Sequence, residues 1–281
     1  MAALLPEEFA VYTKLVRELT GIALDAGKAY LIETRLEPMI RELALKGYSD
    51  LYYRIKADAT GALARKVIDR ITTQETSFFR DSSPFDMLKF KIIPDLIDAR
   101  KKALPPGARI PIRIWSAACS TGQEVYSILI SLKGVLGDLS AYSIRLLATD
   151  ISDSAIAQAS RGVYKAGEIV RGMPSDLLSR YFTVEGGAHK IRDDLRAFAS
   201  FKRWNLFDDF SSFGRFDVIF CRNVAIYFAD EDKRDLFERM ERVLEPDGAL
   251  IVGSTESLLG SAKTLEAKRY LRAVYYQRKL R

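Results

Sequence analysis

The chain has 281 residues, 48% of them hydrophobic, with 43 Lys and Arg, 37 Asp and Glu and a formal net charge of +6. That length gives one large or two modest domains with a sizeable core. The positive surplus lies only in 91–108 and 161–205, whereas residues 1–90 carry 13 basic and 13 acidic side chains, so the broad basic face of a nucleic-acid binder is excluded and an acidic protein partner or plain solvated surface is left.

Apolar residues at helical spacing, Phe9, Tyr12, Val16 and Leu19, predict a helix over 7–20. A second runs over 28–46 through Leu31, Leu36, Ile40 and Leu43, with Pro38 expected to kink or break it and Gly47 to end it. Ser49 is placed to cap a helix over 50–57, and another helix fits 61–71. No strand is expected before about residue 90, so residues 1–90 read as a small all-α domain. Residues 91–109, ending in a basic Pro/Gly-rich stretch, read as a linker. From 110 to 281 the period changes. Apolar runs at 110–115, 144–149, 216–221 and 248–253 alternate with helical stretches at 123–133, 153–160 and 230–244. That alternation predicts an α/β doubly wound, mainly parallel sheet, with the last run, L-R-A-V-Y-Y-Q, adding an antiparallel strand. Residues 181–202, around Gly186-Gly187, break the pattern and read as an inserted β subdomain.

Chemistry concentrates where strands end. I-W-S-A-A-C-S-T-G-Q-E-V-Y, 114–126, is a strand, a turn of small residues and a helix with an early acid, and Asp150 closes the next apolar run 28 residues after Gly122. Small turn residues admit a ligand to the backbone, the helix start offers N–H groups, and the carboxylate suits ribose hydroxyls. With one glycine instead of G-x-G-x-x-G, the turn suits a nucleoside better than a pyrophosphate, and S-adenosylmethionine is the obvious candidate. A plain strand–turn–helix is the alternative. R-I-T-T-Q-E-T-S-F-F-R-D, 70–81, reads either as a polar lid over the pocket or as a helix start capped by Thr73 or Thr76. Asn205 follows a strand, where its amide suits an adenine edge or a surface turn. Arg222-Asn223 ends the strand at 218–221, on the ligand edge of such sheets, and Tyr227 follows; a strand-end salt bridge is the alternative for Arg222. Glu256 ends the last parallel strand, with catalysis a remote option.

Cys119 and Cys221 read as buried filler, and the lone His189 builds no metal site with them. No apolar run reaches the 18 residues of a membrane span, and the N-terminus lacks signal-peptide features. A cytoplasmic protein without metal is expected.

The motifs S-A-A-C-S-T-G, C-R-N-V-x-I-Y-F and T-S-F-F-R-D, in order over nearly the whole chain, resemble the CheR-type chemotaxis receptor methyltransferases, which are S-adenosylmethionine-dependent protein-glutamate O-methyltransferases. The resemblance implies a helical domain over a Rossmann-like methyltransferase sheet with a late β insertion. It implies cofactor contacts from Gln74, Thr76, Arg80, Glu124, Asp150, Asn205, Leu206, Arg222 and Asn223, with Arg80 and Tyr227 near the methyl group. It places the receptor's cytoplasmic helical bundle against the early helices, with Arg35, Arg41 and Lys46 as candidates. The charge balance of residues 1–90 argues against a nucleic-acid partner, the apolar runs are too short for membrane insertion, and a monomer is expected. Gln74, Gln123, Val125 and Ala225 depart from the common Asn, Glu, Pro and Met. The short excursion between Phe182 and Ile191 points away from docking on a receptor C-terminal pentapeptide.

Overall fold

In the computed structural model, which describes residues 4–258, 262 and 264–279, four helices enclose a first hydrophobic core. They are α1 (Pro6–Thr20), α2 (Ala29–Glu42), α3 (Tyr48–Ala57) and α4 (Ala62–Ile71). Their apolar stripes meet at Tyr12, Val16, Ile32, Leu36, Leu51 and Val67, all essentially buried. Helix α2 runs on through Pro38 and stops at Glu42, ahead of Gly47. Gly47 takes the cap position expected of Ser49. Ser49 lies within the first turn of α3, where its N–H and hydroxyl both donate to the Glu8 carboxylate at 3.0 and 2.7 Å.

Past residue 72 the side chains join a different core. Helix α5 (Ser83–Met87), a π-helical turn (Leu88–Ile92) and α6 (Ile93–Ala103) form a continuous rod. Pro94 has no N–H for the carbonyl four residues back, and the widened π turn precedes it. Phe85, Leu88, Ile93, Leu96 and Ile97 pack against the sheet. The expected linker over 91–109 is therefore helix to Ala103, and the helical core of the first domain ends at Ile71.

The rest is an α/β layer. Its strands and helices are β1 (Pro111–Ala117), α7 (Gln123–Leu136), β2 (Ser143–Asp150), α8 (Asp153–Arg161), β3 (Val163–Tyr164), α9 (Ala166–Val170), α10 (Ser175–Tyr181), β4 (Phe182–Glu185), β5 (Ala188–Ile191), α11 (Asp193–Arg196), β6 (Ala199–Arg203), β7 (Phe216–Cys221), α12 (Asp230–Arg242), β8 (Leu244–Val252), β9 (Leu265–Tyr270) and β10 (Ala273–Arg278). The main sheet has seven strands in the order β6-β2-β1-β7-β8-β10-β9. The first five pair in parallel; β10 runs antiparallel to β8 and β9. Strand order reverses between β1 and β7, so the crevice beyond their C-terminal ends is where a ligand belongs.

The small second sheet has the order β3-β5-β4. It begins at Val163, earlier than the expected 181, and ends at Ile191. Residues 199–203 are not part of it; they pair with β2 as the edge of the main sheet.

Candidate active site

The turn after β1 alternates left-handed residues: Ala118, Ser120 and Gly122 have φ of 60, 50 and 95°. The zigzag turns the Ser120 N–H onto Asp150 Oδ2 at 2.8 Å, while Ser152 N–H donates to Oδ1 at 2.9 Å. Acceptor capacity of the carboxylate remains for a ligand. Burial pushes the Asp150 carboxyl above its ordinary range, and the backbone donors from Ser152 and Ser120 offset part of that shift. Gly122, expected to admit a ligand, instead admits protein. A Cβ there would sit 2.8 Å from Ala159 Cβ and 3.0 Å from the Tyr164 hydroxyl. The residues of this turn that face the cleft are Ala118, Cys119 and Ser120. Gly122→Ala should therefore lower the unfolding free energy by about 1–3 kcal/mol through overpacking and a strained φ, measured by urea denaturation. An unchanged midpoint would refute the crowding.

Segment 72–81 forms the facing wall. Neither Thr73 nor Thr76 caps a helix, since α5 starts only at Ser83. The Gln74 side-chain amide donates to Ser152 Oγ at 2.8 Å and Ser154 Oγ at 3.2 Å, and its backbone carbonyl accepts from Ser120 Oγ. Asp69 accepts from the Ser152 hydroxyl at 2.6 Å. Asp69 of α4 thus latches the helical domain to the start of α8, and the longer glutamine holds the connecting segment there, beside Asp150. Arg80 Nη1 donates to Glu75 O at 3.1 Å, and Arg80 lines the cleft with Thr76.

The third wall is the loop after β7. Arg222 is buried, and its guanidinium donates to Glu124 Oε2 at 3.1 Å, to Asp81 Oδ2 at 2.9 Å and to Arg80 O at 2.9 Å. The alternative of a strand-end salt bridge is therefore realised, at the cleft itself. Glu124, in the first turn of α7, also accepts from Ser116 Oγ at 2.7 Å. Asn223 adopts φ 57°. Tyr227 O accepts from Ala23 N–H, and Ile22 bridges Phe228 antiparallel, so the chain after α1 is stitched to this loop.

Asn205 serves the same junction. Its Nδ2 donates to Leu19 O at 3.2 Å and its Oδ1 accepts Phe207 N–H at 3.1 Å. In this state the amide braces the end of α1 rather than standing ready for a base edge. Leu206 is buried in the wall beside it.

Together these segments enclose a cleft of about 980 Å³, its open mouth included. Every cofactor candidate implied by the resemblance, Gln74 to Asn223, lines it together with Tyr227, whereas Glu256 does not. Thr20, Ile22 and Trp204 line it too and went unread. Thr20 and Ile22 reach it because the end of α1 docks on the β7 loop, which no local pattern announces, and Trp204 because it follows β6 with its N–H on Asp150 O. The receptor candidates stand elsewhere. Arg41 and Lys46 are exposed, whereas Arg35 is half-buried with its Nη1 on the Arg70 and Thr72 carbonyls at the end of α4. Among the described residues no group of His, Cys, Asp and Glu is arranged to hold a metal, and no helix is long and apolar enough to cross a membrane.

Residues 7–72 match the family model for the CheR methyltransferase all-alpha domain, and residues 74–273 match that for the CheR methyltransferase SAM binding domain. Chemotaxis protein methyltransferase Cher2 of Pseudomonas putida is 36% identical over 278 residues, 97% of either chain. Chemotaxis protein methyltransferase 1 of Pseudomonas aeruginosa is 38% identical over 256 residues, 89% of this chain and 90% of that one. A chemotaxis protein methyltransferase of Borreliella burgdorferi is 33% identical over 264 residues, 92% of this chain and 91% of that one. The helical layer and the reversed-order sheet thus correspond to the two matched domains, and the chain belongs to the CheR methyltransferase family.

Proposed function

We propose that the protein transfers a methyl group from S-adenosylmethionine to glutamate side chains of chemoreceptor cytoplasmic domains, forming methyl esters. The observation that carries this is Asp150, a half-buried carboxylate with acceptor capacity to spare, at the C-terminal end of β2 beside the reversal point of the sheet in a SAM-binding family domain. The donor set suits the cofactor. Asp150 would take the ribose hydroxyls, and Glu124, neutralised by Arg222, would take the amino group. Two buried donors on lining residues, Trp204 Nε1 and Arg222 Nε, have no protein partner, as a cleft built around a polar ligand leaves them.

When bound, S-adenosylmethionine supplies a methyl group on a sulfonium to the acceptor. A substrate glutamate, with a usual pKa near ~4.3, is ionised at neutral pH, so no protein base is required. The task of the chain is alignment at roughly 3–3.5 Å and exclusion of water. Arg80, whose one side-chain hydrogen bond among the described residues goes to Glu75 O, steadies a carboxylate at the cleft. Tyr227 orients the acceptor, and Ile22, Trp204 and Phe228 keep the cleft dry.

The division into domains follows the cores: helices to Ile71 face the receptor, with Arg41 and Lys46 as contacts, and the remainder binds cofactor. Arg35 is better read as a brace for α4. Strands β4 and β5 are joined by only Gly186-Gly187, φ 56 and 80°, which supports action without a pentapeptide tether. We take the active unit to be a monomer in the cytoplasm.

Acid should weaken cofactor binding early. A protonated Asp150 loses acceptor capacity, and its raised pKa moves that loss above the ordinary aspartate value of about 3.9. The matching stability term has the opposite trend: burial of the ionised form costs stability above the raised value, and the cost vanishes below the unfolded value. Calorimetry with S-adenosylhomocysteine across acidic pH should show affinity falling in the wild type and a flatter profile in Asp150→Asn. Equal slopes would remove Asp150 from the site.

The function itself is tested by incubating the protein with S-adenosylmethionine and receptor cytoplasmic fragments, with RNA as the rival acceptor, followed by mass spectrometry. Methyl esters on receptor glutamates are expected. Binding without transfer to any fragment would favour a signalling module that only senses the cofactor.

A further inference from the structure

The carboxylate of Glu256 collects four backbone N–H groups from two loops. Asn223 N–H and Gly253 N–H donate to Oε2, each at 2.7 Å, and Val224 N–H and Ile226 N–H donate to Oε1, each at 3.2 Å. Three of these donors belong to the loop that leaves β7, and the fourth to the end of the neighbouring strand β8. The fit is close. A Cβ on Gly253 would lie 2.7 Å from Glu256 Oε2 and 3.0 Å from Asn223 N. The loop so gripped includes Asn223 in the left-handed region and runs directly into Tyr227.

We infer that Glu256 is a positioning residue for methyl transfer: it does not line the cleft, and it acts by fixing the 223–226 backbone that presents Tyr227 to the acceptor. Arg222 is held separately, by Glu124, Asp81 and Arg80 O, and Asp150 by Ser120 and Ser152. Arg222 and Asp150 therefore have their own supports, and of the cofactor candidates only Asn223 lies in the gripped loop, so Glu256 acts chiefly on the acceptor end. An ionised carboxylate is the group that serves here, because it is acceptor-only and four donors converge on it. A glutamine of the same shape would aim an NH2 group at amides that need an acceptor. This inference rests on the functional reading above.

The test compares wild type, Glu256→Gln and Glu256→Asp in three measurements. The first is hydrogen exchange of the 223–226 amides in the protein without cofactor. The second is calorimetric affinity for S-adenosylhomocysteine. The third is kcat at saturating receptor fragment. Exchange should quicken by at least about tenfold in Glu256→Gln, since one of the two acceptor oxygens is replaced by an NH2 that faces the amides. Turnover should fall by on the order of tenfold to a hundredfold, the scale of a small misplacement at a reacting centre. Cofactor affinity should stay within about threefold, and Glu256→Asp, which keeps both oxygens, should fall between. Wild-type exchange and kcat in Glu256→Gln would overturn the inference, as would affinity falling in step with turnover. Should Glu256→Gln not fold, the exchange and kcat of Glu256→Asp decide by the same signs. A wild type that neither binds S-adenosylhomocysteine nor turns over would instead overturn the functional reading.

Discussion

Arg222→Met should lower the unfolding free energy by about 3 kcal/mol and abolish measurable turnover. The side chain of Arg222 is 2% exposed and that of Glu124 12%, so removing the guanidinium strands a buried carboxylate with only the Ser116 hydroxyl beside it. Loss of one partner from such a pair is the costly case. Asp81 adds little, because it is 38% exposed and solvent takes over its charge. The second effect is geometric. Arg222 ties the end of β7 to the turn at 80–81, where Phe79 and Asp81 have positive φ, so its loss frees the cleft wall that carries Arg80. Arg222→Lys should rescue poorly, since a single ammonium cannot serve three acceptors in a planar fork. Urea denaturation of Arg222→Met, Glu124→Gln and the double variant measures the coupling. Additive losses would show that the pair is not a unit.

Asp150→Ala should weaken S-adenosylhomocysteine binding by about 1–3 kcal/mol, the usual worth of hydrogen bonds to a charged group. That is roughly a 5- to 150-fold rise in Kd. Part of the loss is indirect. The carboxylate accepts from both Ser120 and Ser152, so it also shapes the turn against which the ligand lies. Asp150→Asn separates the two contributions, because its single oxygen still accepts one of the two backbone donors. Calorimetry reads both variants, and an unchanged Kd in Asp150→Ala would place the ribose elsewhere.

Much of this was legible from the chain alone. Strand β7 falls on the expected residues because F-D-V-I-F-C is buried on every side chain, and its apolar run, interrupted only by Asp217, carries its own boundaries. Asp150 was legible for the same reason: a carboxylate that ends such a run stands at the ligand edge. The rod from Ser83 to Ala103 was not, since the π turn shifts the helical period between Pro84 and Pro94 and the apolar positions lose their stripe. Residues 199–203 form a strand that local pattern places but cannot pair; its partner β2 lies some 50 residues earlier. The roles of Gln74, Asn205 and Glu256 were illegible because each depends on a distant backbone. Gln74 needs the start of α8, Asn205 the end of α1, and Glu256 the loop after β7. Side chains that serve ligands and side chains that serve neighbouring loops are drawn from the same polar set, and only the fold separates them.

The most direct measurement is a crystal structure of the protein with S-adenosylhomocysteine bound. The ribose hydroxyls should lie on the Asp150 carboxylate, the amino group at Glu124, and the sulfur should point toward Tyr227 and Arg80. Electron density for the ligand in any other crevice, or none in this one at saturating concentration, would contradict the account.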